Sequence, residues 1–225
     1  MNKRLVIFDL DGTLLDTIND LGCAVNYALN ANGFPTHLPE SYPLLVGNGA
    51  RKLIERALPA DSCNQEIIDR LLVDFKLYYS DHATANTTPY PGIPELLDTL
   101  QNEGVQIAVA SNKYQEAVTS LIRHFFPDIN FTAVLGQRDN MPVKPDPSIV
   151  FNIILHTGVP KQETLYVGDS GVDMLTAGRA CVDSVGVTWG FRPIEELRQN
   201  HATYIANQPA DILNIVNNRN LEKYF

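Results

Sequence analysis

Short apolar blocks recur along the chain: LVIF at Leu5–Phe8, VQIAVA at Val105–Ala110, FTAVL at Phe131–Leu135 and LYV at Leu165–Val167. Each is rich in β-branched or aromatic residues and too short for a buried helix. Each therefore predicts a strand covered on both faces, as in a parallel sheet. A fifth strand is expected at Ser184–Val187. Helical periodicity fills the gaps. Ile93, Leu96, Leu97 and Leu100 share one face, and Ala117–Phe125 and Ser148–Leu155 also read as helices. From residue 92 to residue 190 strand and helix alternate. That rhythm predicts an α/β fold of βαβ units with a doubly wound parallel sheet.

Residues 16–86 break the rhythm, with no convincing strand. Leu21, Ala24, Val25, Ala28 and Leu29 mark one helix face, ended at Asn32-Gly33. Leu53, Ile54, Ala57 and Leu58 mark a second, stopped by Pro59, and Ile67, Ile68, Leu71, Leu72 and Phe75 mark a third. The expected organisation is a core of residues 1–15 and 87–225 interrupted by an all-helical domain at 16–86. The turn-rich TTPYPG at Thr87–Gly92 is the candidate hinge.

Composition narrows the possible partners. The 225 residues are 44% hydrophobic and 19% charged, which suits a globular protein. A formal net charge of -9 argues against nucleic-acid or membrane-surface binding. It also leaves an anionic substrate dependent on local cations. Cys23, Cys63 and Cys181 show no metal-ligand spacing and are expected to be small buried thiols of a cytoplasmic protein. Asp9 cuts the first apolar run too short for a signal peptide, and no stretch approaches a membrane span. Monomer and homodimer both remain open.

Ligands of open α/β sheets bind beyond the carboxyl ends of the strands. The first strand is followed there by Asp9 and Asp11, the second by Ser111 of SNK, and Leu165–Val167 by Gly168-Asp169-Ser170 with Asp173 on the next turn. Lys144, in KPDP, precedes a helix that Pro147 can start. Asp9, Asp11 and Asp169 near one point repel each other unless some are protonated or a cation sits among them. Carboxylate oxygens suit Mg²⁺, which often works beside phosphates. Ser111, expected to open a helix, offers a hydroxyl and backbone N–H groups to an anion. A carboxylate ordinarily ionised at neutral pH can attack phosphorus directly, which makes Asp9 the candidate nucleophile. Asp11, close to other negative charge, is the candidate general acid. Gly12 permits the tight turn between them and the rest of the chain. Counting charges around a bound phosphate predicts strict metal dependence.

DLDGT at Asp9–Thr13, Ser111 of SNK, Lys144 of KPDP and GDSxxD at Gly168–Asp173 together resemble the four motifs of the haloacid dehalogenase superfamily. The resemblance spans nearly the whole chain and places the helical insert where that superfamily carries a small helical cap. It implies a Rossmann-like core, a small phosphorylated metabolite as substrate and Mg²⁺ bound by Asp9, Asp169 and the backbone carbonyl of Asp11. It further implies Thr13, Ser111, Asn112 and Lys144 as phosphate ligands, with Asp173 and Ser170 supporting the metal. VGNGARKLIERAL at Val46–Leu58 and SVGVTWGF at Ser184–Phe191 are similar to stretches of the bacterial phosphoglycolate phosphatases.

In the insert, Asn48, Gly49 and Arg51 are the candidate specificity residues, since a substrate carboxylate suits a bidentate guanidinium. The histidines show no clustering, and Trp189 and Phe191 are expected to pack. One departure stands out: Cys181 occupies a helix end where such proteins usually carry Gly. The resemblance implies a Mg²⁺-dependent phosphomonoester hydrolase with 2-phosphoglycolate as the preferred substrate, a reading that competes with a phosphomutase of the β-phosphoglucomutase type. It also competes with a receiver-like phospho-aspartate switch and with a phosphate-binding protein without turnover.

Overall fold

The computed structural model describes residues 2–139 and 141–218. Strand β1 (Leu5–Phe8) is followed by a two-residue strand β2 (Leu15–Asp16) and by four helices, α1 (Ile18–Ala31), α2 (Tyr42–Leu45), α3 (Gly49–Ala57) and α4 (Gln65–His82). Strand β3 (Thr88–Pro89) brings the chain back. Alternation then runs through α5 (Ile93–Asn102), β4 (Gln106–Tyr114), α6 (Gln115–Phe125), β5 (Phe131–Gln137) and α7 (Ser148–Thr157). It continues through β6 (Thr164–Gly168), α8 (Gly171–Ala180), β7 (Asp183–Val187), α9 (Ile194–Gln199), β8 (Tyr204–Ala206) and α10 (Pro209–Val216).

Six strands pair in the order β5-β4-β1-β6-β7-β8, every pair parallel. The five expected strands are all present. The sixth, β8, is too short to carry a pattern of its own and is held only by its neighbour β7. Side-chain alternation explains the two-sided cover. Val6 and Phe8 pack toward α5, α6 and α10, whereas Leu5 and Ile7 pack toward α7 and α8. Central β1 is consequently buried along its whole length.

The insert buries a separate apolar cluster, in which Leu21, Val25 and Leu29 of α1 meet Leu53 and Ile54 of α3 and Ile68, Leu71, Phe75 and Tyr79 of α4. The third helix face thus continues one further step of four residues, to Tyr79. Where the chain leaves and re-enters the sheet, Leu15 pairs with Pro89 and Asp16 with Thr88 in an antiparallel ribbon. Above that neck, Asp20 of α1 accepts hydrogen bonds from the backbone and side chains of Asn86 and Thr87 at 2.8–3.0 Å.

One expectation needs correction here. All three cysteines are exposed rather than buried. Cys181 nevertheless takes the left-handed conformation, φ 58°, that ends α8 in the way a glycine would.

Candidate active site

Asp9 and Asp169 follow the last residues of β1 and β6, neighbouring strands at the centre of the sheet. Ser111 lies inside β4, on the other side of β1, and not at a helix start. The helix after it begins four residues later, at Gln115. The hydroxyl is therefore presented by a strand, and no helix N-terminus supplies it with N–H groups. These three residues, together with Asp11, Asn112 and Ser170, line a cavity of about 640 Å³, counting the part open to solvent.

Oxygen atoms of Asp9, Asp169 and Asp173 lie within 4.8 Å of one another. Lys144 is buried among them. Its ammonium donates to Asp173 at 2.8 Å and to the Ala110 carbonyl at 3.0 Å, and pairs with Asp9 Oδ1 at 2.9 Å. A lysine that would be solvated on most surfaces is here 2% exposed. Its three N–H groups are met by protein acceptors, so it orients Asp9 before any ligand arrives. Asp173 is fixed from the other side, because Ser170 donates to its Oδ2 through both backbone N–H and hydroxyl. That reciprocal pair is also the capping box that starts α8.

Asp11 points elsewhere. Its carboxylate accepts from Lys113 at 2.8 and 3.0 Å and from the Thr17 hydroxyl at 2.7 Å. The expected crowd of like charge around Asp11 is thus answered by a cation that sequence reading passed over. A signal was available: residues i and i+2 of a strand share a face, and Lys113 stands two beyond Ser111. The acidic cluster contains Asp173 in place of the Asp11 carboxylate.

Charge bookkeeping follows from these pairings. Four acids (Asp9, Asp11, Asp169, Asp173) face two lysines (Lys113, Lys144), which leaves a deficit of two positive charges. Burial is the largest influence on Asp9 and pushes it up to about 7. Lys144 opposes the shift, and Asp173 and Asp11 add to it. Asp169 is raised in the same direction by burial, Asp173 and Asp9. Burial beside other acids works against the ionisation of Asp9, and a cation added to the cluster would favour its charged form. Hard carboxylate oxygens, a deficit of two charges and a buried setting fit a divalent ion of the Mg²⁺ kind. Among the described residues, Asp169 Oδ1 carries no hydrogen bond and is open to it, and Asp9 Oδ2 is likewise unbonded.

Tight backbone approach makes room for these acids. Gly12 adopts φ 81°, and a Cβ there would stand 2.3 Å from Asp169 Oδ2. Asp169 Oδ2 in turn accepts from the Phe191 N–H at 2.7 Å. Phe191 is thus a cavity wall whose backbone also holds an acid, while Trp189 donates its ring N–H to the Thr13 carbonyl. Thr13 is fully buried, and its hydroxyl lacks a partner among the described residues.

Other predicted residues are placed differently. The Asn112 amide is engaged by the Lys144 backbone and the Gly47 carbonyl, so its side chain joins the core loop to the insert. Asn48 accepts from Arg56, and Arg51 pairs with Asp69 of α4. Neither lines the cavity, whereas Gly49 does. The arginine that does line it is Arg192, which donates to the carbonyls of Pro43 and Val46 at 2.6 and 2.8 Å. It reaches from the core to the insert across a sequence separation that no local pattern reveals.

Comparison with known proteins identifies a family. The haloacid dehalogenase-like hydrolase family matches residues 6–187. The chain belongs to that family. A phosphoglycolate phosphatase of Mannheimia succiniciproducens is 33% identical over 219 residues, covering 95% of this chain and 98% of the relative. One from Pseudomonas syringae pv. tomato is 38% identical over 201 residues, 86% of this chain and 73% of the relative. A crystal structure from Lactobacillus delbrueckii subsp. bulgaricus, provisionally named phosphoglycolate phosphatase, superposes with a TM-score of 0.89 at 32% identity, covering 96% and 99% of the two chains. The present chain is an enzyme of this family, a phosphatase, and among its described residues no helix is long and apolar enough to cross a membrane.

Proposed function

We propose that the enzyme hydrolyses 2-phosphoglycolate through a phosphoryl group carried on Asp9. The observation that carries this reading is the arrest of one Asp9 oxygen by Lys144 while the other stays unbonded at the cavity. A carboxylate fixed on one side attacks phosphorus with the other, at little orientational cost. The Ser111 hydroxyl, whose oxygen already accepts from the Lys113 N–H, keeps its own proton for a phosphate oxygen. The buried Thr13 hydroxyl, two residues beyond Asp11, also lacks a partner among the described residues.

Asp11, which must be protonated when the ester binds, delivers that proton to the leaving oxygen and regains one from the water that later cleaves the aspartyl-phosphate. Lys113 and Thr17 hold it in place for both steps. Asp9, Asp169 and the Asp11 backbone carbonyl would hold a Mg²⁺ ion, which would neutralise charge on the phosphoryl group. The helical insert, residues 16–86, acts as a cap that excludes bulk water and contacts the leaving group. The similarity to named phosphoglycolate phosphatases supports the substrate.

The test is phosphate release from 2-phosphoglycolate with and without EDTA, run beside an assay for glucose 1-phosphate isomerisation. Release that stops on chelation and returns with Mg²⁺ is expected. Faster isomerisation than release overturns the hydrolase reading. Failure to trap an adduct on Asp9 during turnover, read by mass spectrometry, overturns the covalent route.

A further inference from the structure

Tyr79 is the last member of the buried α4 face, and its side chain is fully enclosed. The Lys113 ammonium is the polar group that reaches its hydroxyl, and among the described residues no acceptor takes the hydroxyl's own proton. Buried hydroxyls are almost always satisfied, and an orphan is costly unless a ligand completes it. Tyr79 lines the same cavity as Asp9 and Asp11. Of the insert's described side chains around that cavity, it alone is polar, because Leu21, Val46, Ala50, Leu53 and Phe75 make up the rest beside Gly47 and Gly49. The cationic neighbour is Lys113, whose ammonium stands 4.7 Å from the centre of the Tyr79 ring. Lys113 also holds Asp11, the group assigned to the leaving oxygen. The hydroxyl therefore belongs to the leaving-group side of the cavity, not to the phosphate side.

We infer that Tyr79 and Lys113 form the seat for a carboxylate carried by the leaving group, with the Tyr79 hydroxyl as specificity donor. This rests on the proposed reaction and adds to it the part of the site that reads the leaving group. Lys113 makes two contacts to Asp11 and turns toward the Tyr79 hydroxyl, so its positive charge attracts a substrate anion while the Tyr79 O–H supplies the hydrogen bond. Arg51 pairs with Asp69 through one nitrogen and does not line the cavity, and the apolar remainder of the wall disfavours leaving groups with several hydroxyls. A site built to hydrogen-bond a substrate group discriminates strongly against an analogue without it.

The test compares 2-phosphoglycolate with ethyl phosphate, which keeps the two-carbon chain and lacks the carboxylate, in the full-length wild type and in Tyr79→Phe. Loss of a hydroxyl whose own proton has no acceptor leaves the thermal midpoint unchanged or raised. For 2-phosphoglycolate, kcat/KM should fall about tenfold to a hundredfold, mainly through KM, as expected for one hydrogen bond to a charged group. For ethyl phosphate the change should stay within about twofold, since a structural role would lower both. Equal losses on both esters overturn the assignment. A wild type that prefers 2-phosphoglycolate, with Tyr79→Phe unchanged on both, also overturns it and leaves the proposed reaction standing. A wild type that does not distinguish the two esters overturns the substrate reading and this inference together.

Discussion

Asp9 and Asp20 are both buried carboxylates, 8% and 2% exposed, and the protein treats them in opposite ways. Asp9, at the end of the central strand, is surrounded by other acids and answered by one ammonium oxygen contact, and it is pushed up to about 7. Asp20, at the neck of the insert, is held below its ordinary value. Burial works against its ionisation, but hydrogen bonds from Asn86 and Thr87 outweigh that cost. Burial alone therefore decides little. The donors that meet the carboxylate decide whether it stays an inert clamp or a reactive group whose charged form a cation favours. The first arrangement fastens the two ends of the insert to each other. The second leaves an oxygen free for chemistry.

The largest expected effect breaks the reactive side of this contrast. Asp9→Asn should lower phosphate release by about a thousandfold or more, because an amide is a far weaker nucleophile than a carboxylate. Its thermal midpoint without metal should not fall, since the substitution removes a buried like charge; a large loss of stability would show that Asp9 is structural. Next comes the clamp. Asp20→Ala strands the donors of Asn86 and Thr87 and should cost about 3 kcal/mol in denaturant unfolding. A carboxyl with a lowered folded value stabilises fully above its unfolded value of about 3.9 and loses that contribution as pH falls through the folded one. The gap between wild type and Asp20→Ala should thus be steady near neutrality and narrow below about pH 4. A gap independent of pH would mean the charge is irrelevant and only the neutral hydrogen bonds count.

The smallest effect lies at the far end of α8, the helix that carries Asp173. Cys181 holds φ 58° without being glycine. Cys181→Gly should relieve that strain and raise stability by about 1 kcal/mol, measured by thermal unfolding, with activity unchanged. A destabilised Gly variant would show that the Cys181 side chain contributes packing that outweighs its backbone cost.

How far each feature was legible follows from its sequence separation. The acids beyond β1 and β6 could be read because an apolar run and the residue after it are neighbours in the chain. Lys144 entered through its motif alone, and only the fold reveals that it orients Asp9. The Asp11–Lys113 pair joins residues 102 positions apart and the Asp20–Thr87 clamp residues 67 apart, so no window on the chain contains either. Tyr79 lay within reach, one helical step past a face already recognised, yet the setting of its hydroxyl is a tertiary fact. Arg51 misled, because a cation next to a glycine turn says nothing about which way the side chain leaves the helix.

By itself the sequence determined the parallel sheet, the helical insert and which strand ends would carry acids, because apolar periodicity and strand-end chemistry are local properties of a chain. Tertiary structure alone decided which lysine meets which acid, which carboxylate is clamped and which is left open, and which insert side chain faces the cavity. Those outcomes depend on distances between segments that folding brings together, and electrostatic and hydrogen-bond energies change steeply over such distances.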